Sequence, residues 1–149
     1  MSIVPRGMAV TEAYRLYRSG NLLVNRKYQR KLIWSVDEKE KLIGSLLKGY
    51  PIPLILLAER PQVHGSGKYE IVDGMQRLNA ICGFSENLFA FNGRYFDLKE
   101  FPFAQQLADD KVFEFEENFD KLDIKECADI VDYQFAVTID CFFEIYQNF

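Results

Sequence analysis

Histidine occurs once, at His64, and cysteine three times, at Cys82, Cys127 and Cys141, in a chain of 149 residues. A single histidine excludes an HNH nuclease centre, an H-E-x-x-H zinc site and any His-rich metal cluster. Three scattered cysteines with no C-x-x-C pair fit reduced thiols better than a disulfide framework. Long hydrophobic runs are missing too. The longest, Ile52 to Ala58, has the length of a strand, far short of the roughly 20 residues a membrane helix needs. The N-terminus carries Arg6 but no apolar stretch of the secretory type. Together these absences predict a cytoplasmic protein with no membrane partner. Repeats, low-complexity tracts and long Pro/Gly/Ser linkers are absent as well, so residues 1–149 read as one domain.

What the chain does have is aromatic and apolar mass: 13 Phe, 8 Tyr and 48% hydrophobic residues. Such a chain can bury enough apolar surface to offset the entropy of ordering it, which rules out disorder. Its net charge of -4 conceals an asymmetry, with residues 1–60 at +6 and residues 61–149 at -10. Arg26, Lys27, Arg30 and Lys31 fall within six residues, around Tyr28 and Gln29. Two readings stand open for this segment, an edge facing phosphates or a solvated basic loop. The acidic stretch from Asp109 to Asp132 likewise reads as plain solvated surface or as a dock for a basic partner.

The pattern of elements predicts a mixed α/β (α+β) fold. Residues 10–19 predict a short helix stopped at Gly20-Asn21, and Leu22-Leu23-Val24 a short strand. Ser35-x-x-Glu38 has the form of a capping box, with Leu42, Ile43, Leu46 and Leu47 at helical spacing behind it and Gly49 as the stop. Ile52 to Ala58 predicts a strand buried on both faces. Tyr69 to Val72 predicts another, its direction relative to the first left open. Leu88 to Phe91 and Arg94 to Phe96 flank Asn92-Gly93 and predict a hairpin. Helices follow near 103–108 and 124–131, a strand at 134–139, and a helical segment at 142–149. Trp34, Cys82 and the Phe-rich stretch from Phe84 to Phe103 are expected in the core, and His64 on a solvated loop.

The segment with most chemical content is Ile71-Val72-Asp73-Gly74-Met75-Gln76-Arg77-Leu78. A strand ends, Gly74 permits a sharp turn and a helix starts. Its first amides lack intrahelical partners and sit at the positive end of the helix dipole, where an anion is stabilised. Arg77 can add a bidentate contact to phosphate. Asp73 beside a phosphate needs an intervening Mg²⁺ or a water to orient. Alternatively, Asp73 and Gln76 are a plain N-cap pair, which leaves Arg77 without a task.

These residues carry a resemblance. Tyr28-Gln29-Arg30 with Ile33-Trp34, an amphipathic helix, Gly49-Tyr50-Pro51-Ile52-Pro53, and Tyr69 to Leu78 resemble, in that order, the N-terminal domain of GmrSD-type modification-dependent restriction endonucleases. The hallmark of that domain is a DGQQR motif, and it is related to the ParB/sulfiredoxin-like superfamily. The likeness runs over about residues 10–140. It implies a small mixed sheet with flanking helices and a module that binds NTP with Mg²⁺, and hydrolyses it, to regulate cleavage of modified phage DNA.

Matched residue by residue, Asp73, Gly74, Gln76 and Arg77 fall on the motif, and Tyr28, Gln29 and Arg30 on an upstream motif of the same cleft. Asp73 would hold the metal or a water, Gln76 would orient a phosphate or the nucleophilic water, and Arg30 and Arg77 would grip phosphate. Met75 stands where the family has its first glutamine, Asn79 and Ala80 where a Thr is common, and Asn25-Arg26-Lys27 where a Pro-containing segment is frequent. Phe143 to Phe149 resembles only the beginning of a later family segment, so the chain reads as truncated, with a nuclease domain or subunit missing from it. A ParB-like alternative binds DNA through Arg26, Lys27 and Lys31. A reductase of the sulfiredoxin kind is disfavoured, because the turn has no cysteine.

Overall fold

In the computed structural model, residues 3–24, 34–59, 68–114 and 119–140 are described. They form five strands and five α-helices, a mixed α/β architecture. The strands are β1 (Ile3–Ala9), β2 (Leu22–Val24), β3 (Ile55–Glu59), β4 (Tyr69–Asp73) and β5 (Gln134–Asp140). The helices are α1 (Val10–Arg18), α2 (Val36–Lys48), α3 (Met75–Ser85), α4 (Pro102–Asp109) and α5 (Ile124–Val131). By internal contacts the chain divides into two compact units, one of residues 1–33, 52–76 and 134–149, the other of residues 34–51 and 77–133.

The first unit contains the whole sheet, in the order β1-β5-β3-β4-β2. β1 and β5 are antiparallel, β5 and β3 parallel, β3 and β4 antiparallel, and β4 and β2 parallel. β3 is central. Ile55, Leu57 and Ala58 are fully buried along it, as the unbroken apolar run predicts for a strand with both faces covered. It begins three residues later than expected, however. Pro51 and Pro53 lack the N–H that a ladder requires, and Leu54 is exposed. Tyr14 and Ala13 of α1 are buried against this unit's β1 and β2, and Gly20, at φ +79°, ends the helix.

The second unit is helical. Ser35 caps α2 through a full capping box, its Oγ accepting from the Glu38 amide at 3.2 Å while the Glu38 carboxylate accepts from the Ser35 amide at 3.1 Å. Gly49, left-handed at φ +70°, closes the helix. The same box recurs at Asp123 and Glu126 of α5, which packs on α2. The expected phenylalanine core is present: Phe84, Phe96 and Phe101 are buried and meet edge to face, with ring centroids 6.3 Å apart in each successive pair. Each such side chain contributes about 1.5–3 kcal/mol by leaving water.

The expected hairpin reduces to one bridge, Phe91 to Arg94, across a turn in which Asn92 and Gly93 are both left-handed. The Asn-Gly chemistry holds, but Tyr95 then pairs in parallel with Lys121, which draws the second arm away. The expected helical segment at 142–149, His64 and Cys141 lie outside the described residues. No helix among the described residues is long and apolar enough to cross a membrane.

Candidate functional site

β4 delivers the strand–turn–helix. Ile71 is buried, Asp73 pairs with Leu56 of β3 at the last rung, and the carboxylate at the strand's end is exposed. Gly74 follows at φ +106°, a conformation open to glycine and strained for any other residue. α3 starts at Met75, so Gly74 rather than Asp73 occupies the position immediately before the helix.

Gln76 and Arg77 lie half-buried in the first turn of α3, and the Arg77 Nε is fully enclosed. No acidic side chain stands in that first turn, so nothing of the helix's own neutralises its amide-rich end. Asp73, Gly74, Gln76 and Arg77 follow one another closely along the chain, the first three at the end of a segment of the first unit and Arg77 at the start of a segment of the second. Tyr28, Gln29, Arg30, Arg26, Lys27 and Lys31 lie outside the described residues. Among the described residues no three His, Cys, Asp or Glu side chains gather as a metal site. Neither described cysteine is placed as a nucleophile. Cys82 is buried in α3, and burial pushes the Cys127 thiol up to about 11.

Two features of the second unit escape the sequence reading. An open groove of about 560 Å³ runs along α2, with Lys48 and Tyr50 at the helix's C-terminal end, Lys41 midway and Asp37 and Glu40 ahead of it. Its charges follow the helix dipole, acids first and lysines last, as on any solvated helix face. The other feature is an ion pair, Arg94 with Glu126, closed by two hydrogen bonds of 2.7 and 2.8 Å. Only the Asp123-x-x-Glu126 spacing signals anything in sequence, and it signals the cap rather than the pair.

The family model for the GmrSD restriction endonuclease, N-terminal domain, matches residues 10–148 of the chain. No curated protein and no solved structure matches it.

Proposed function

Because the chain belongs to the family of the GmrSD restriction endonuclease N-terminal domain, we propose that it is the nucleotide-binding, NTP-hydrolysing regulatory domain of a modification-dependent restriction system in anti-phage defence. The observation that carries this reading is the turn from β4 into α3. Gly74 at φ +106° opens an amide-rich helix start that holds no acidic side chain, with Arg77 in its first turn. Phosphate oxygens fit that environment, by charge and by hydrogen-bond donors. Gln76 orients the attacking water.

Mg²⁺ favours a coordination sphere of one or two carboxylates, phosphate oxygens and waters. Asp73, a single exposed carboxylate, suits that role only with a nucleotide present. Tyr28, Gln29 and Arg30, which match the family's upstream motif, are further ligands of the nucleotide. Cleavage is the task of an accompanying nuclease domain or subunit, and the work is done in the cytoplasm.

The test is isothermal titration of each NTP with Mg²⁺ into the wild type and into Arg77→Ala. The expected result is binding of at least one NTP, weakened about tenfold or more by the loss of a charge-assisted contact. Negligible heats for every NTP would reject the reading.

A second reading rests on the concentration of positive charge in residues 1–60. There the domain is a ParB-like module that neutralises DNA phosphates with Arg26, Lys27 and Lys31. It requires duplex affinity that falls steeply with salt and drops in Lys27→Ala plus Lys31→Ala, whereas a flat salt response excludes it.

A further inference from the structure

In the second unit the rings of Tyr95 and Phe119 stack at 5.2 Å with only 16° between their planes. The stack is fixed from the backbone. The Tyr95 amide donates to the Asp120 carbonyl and the Leu122 amide to the Tyr95 carbonyl, each at 2.8 Å. Phe119 nevertheless leaves half its surface in water, and Ile124, five residues on at the start of α5, is 70% exposed. Apolar side chains gathered at the surface in this way are the usual substance of a contact site.

The charges around the stack select what can cover it. Arg94, next to Tyr95, is the cation at the centre, and Glu126 already engages it with two hydrogen bonds. Asp123 and Asp120 act on the same guanidinium from nearby, and of the two lysines in residues 120–126 Lys125 is paired with Asp129 while Lys121 lies on the backbone bridge to Tyr95. Residues 109–132 as a whole hold ten acidic side chains against three lysines. Nucleic acid and anionic lipid are repelled by such a field, whereas a cationic protein segment is drawn to it.

We propose that the Tyr95–Phe119 stack, with Asp120 and Asp123 beside it, is a docking surface for an arginine-bearing segment of a protein partner. A guanidinium lies flat on an aromatic face while its N–H groups reach a neighbouring carboxylate; the compact, strongly hydrated lysine ammonium does this less well. A module that handles DNA in the same system has a basic surface for its own reasons, and that is the kind of partner the field fits.

The probe is a labelled oligo-arginine peptide, titrated by fluorescence anisotropy against the full chain, with oligo-lysine and a labelled DNA duplex in parallel. Oligo-arginine binds more tightly than oligo-lysine, and the duplex does not bind to this surface. Phe119→Ala weakens oligo-arginine about fivefold and abolishes its advantage over lysine. Asp120→Asn weakens both peptides, while Asp109→Asn with Asp110→Asn, which removes two charges from the end of α4, changes binding less than twofold. Phe119 is half-exposed, and an unchanged unfolding midpoint confirms that its variant folds. Equal affinity for the two peptides, an unaffected Phe119→Ala, or equal losses from Asp120→Asn and the α4 pair would each overturn the proposal in favour of diffuse attraction. Failure of nucleotide binding leaves this surface untouched, so the two readings are judged separately.

Discussion

Arg94 and Glu126 face each other fork to fork, Nη1 on Oε1 at 2.7 Å and Nη2 on Oε2 at 2.8 Å, although 32 residues separate them in sequence. The pair ties the Asn92-Gly93 turn to the first turn of α5, where Glu126 also accepts from the Asp123 amide at 3.2 Å. One carboxylate therefore closes a capping box and a tertiary ion pair at once. The hydrogen bonds from Arg94 hold the Glu126 carboxyl below its ordinary value of 4.5 and raise the Arg94 guanidinium.

Acid stability follows from that shift. A carboxyl with a lowered folded-state pKa binds fewer protons in the native than in the unfolded chain. Its contribution is complete above pH 4.5 and is lost as pH falls through the lowered value. Arg94→Gln is accordingly less stable than the wild type at neutral pH, and the gap narrows on acidification below that point. Urea unfolding at a series of pH values checks this; a gap that stays constant down to about pH 3 contradicts it.

The C-terminus of α3 makes a sharper prediction. Asn87 is left-handed at φ +60°, its amide donates to the Phe84 carbonyl at 3.1 Å, and the Leu88 amide reaches the Gly83 carbonyl at 2.9 Å. This is a Schellman closure with asparagine where glycine is commonest. The Asn87 carboxamide is buried, and neither Nδ2 nor Oδ1 has a hydrogen-bond partner. Leaving an amide so costs about 1–3 kcal/mol, whereas glycine's extra backbone entropy costs about 0.5–1 kcal/mol. Asn87→Gly therefore leaves stability unchanged or raises it, and Asn87→Ala lies about 1 kcal/mol below Asn87→Gly. Thermal or urea unfolding gives the order directly, and a destabilised Asn87→Gly refutes it.

How legible such features are depends on how local their cause is. α2 is readable because Ser35, Glu38, Gly49 and the apolar spacing all act within one segment. The start of β3 is misread because apolar character alone marks Ile52 to Leu54, while Pro51 and Pro53 keep those residues off the ladder. β1 gives no usable signal. It contains Pro5 and Gly7, and it exists as a strand because residues 134–140 pair with it from the far end of the chain. The turn at Asp73–Arg77 is readable as a strand running into a helix through a glycine, but the register that puts Gly74 just ahead of the helix is set by the fold. The Tyr95–Phe119 stack has no sequence mark at all, since it depends on a bridge between two loops.

The two capping boxes differ in a way that can be measured. Ser35 Oγ accepts from the Glu38 amide at 3.2 Å, whereas Asp123 Oδ1 accepts from the Glu126 amide at 2.7 Å. The second acceptor is charged as well as closer, and a carboxylate also suits the positive end of α5. Loss of such a cap costs about 0.5–2 kcal/mol. Ser35→Ala falls in the lower part of that range and Asp123→Ala in the upper part. Equal unfolding free energies for the two variants would show that charge and distance do not distinguish the caps.

Gly74 tests the proposed site through the backbone alone. At φ +106° it holds a conformation that any L side chain adopts only under strain, at a cost of about 1–3 kcal/mol. Gly74→Ala removes no charge and no hydrogen-bonding side chain; it adds one methyl at a buried position and strains the turn that aims the first amides of α3. The protein is expected to lose stability by that amount while remaining folded at low temperature. In the folded variant, Mg²⁺-NTP affinity falls about tenfold or more, since a phosphate contact depends on how those amides are pointed. Ala80→Gly, deeper in α3, is the control: it lowers stability by about 1 kcal/mol through helix propensity and leaves the turn as it is. If both variants retain full nucleotide affinity, the phosphate does not sit at this helix start; if both lose it in proportion to stability, the turn has no part of its own in binding.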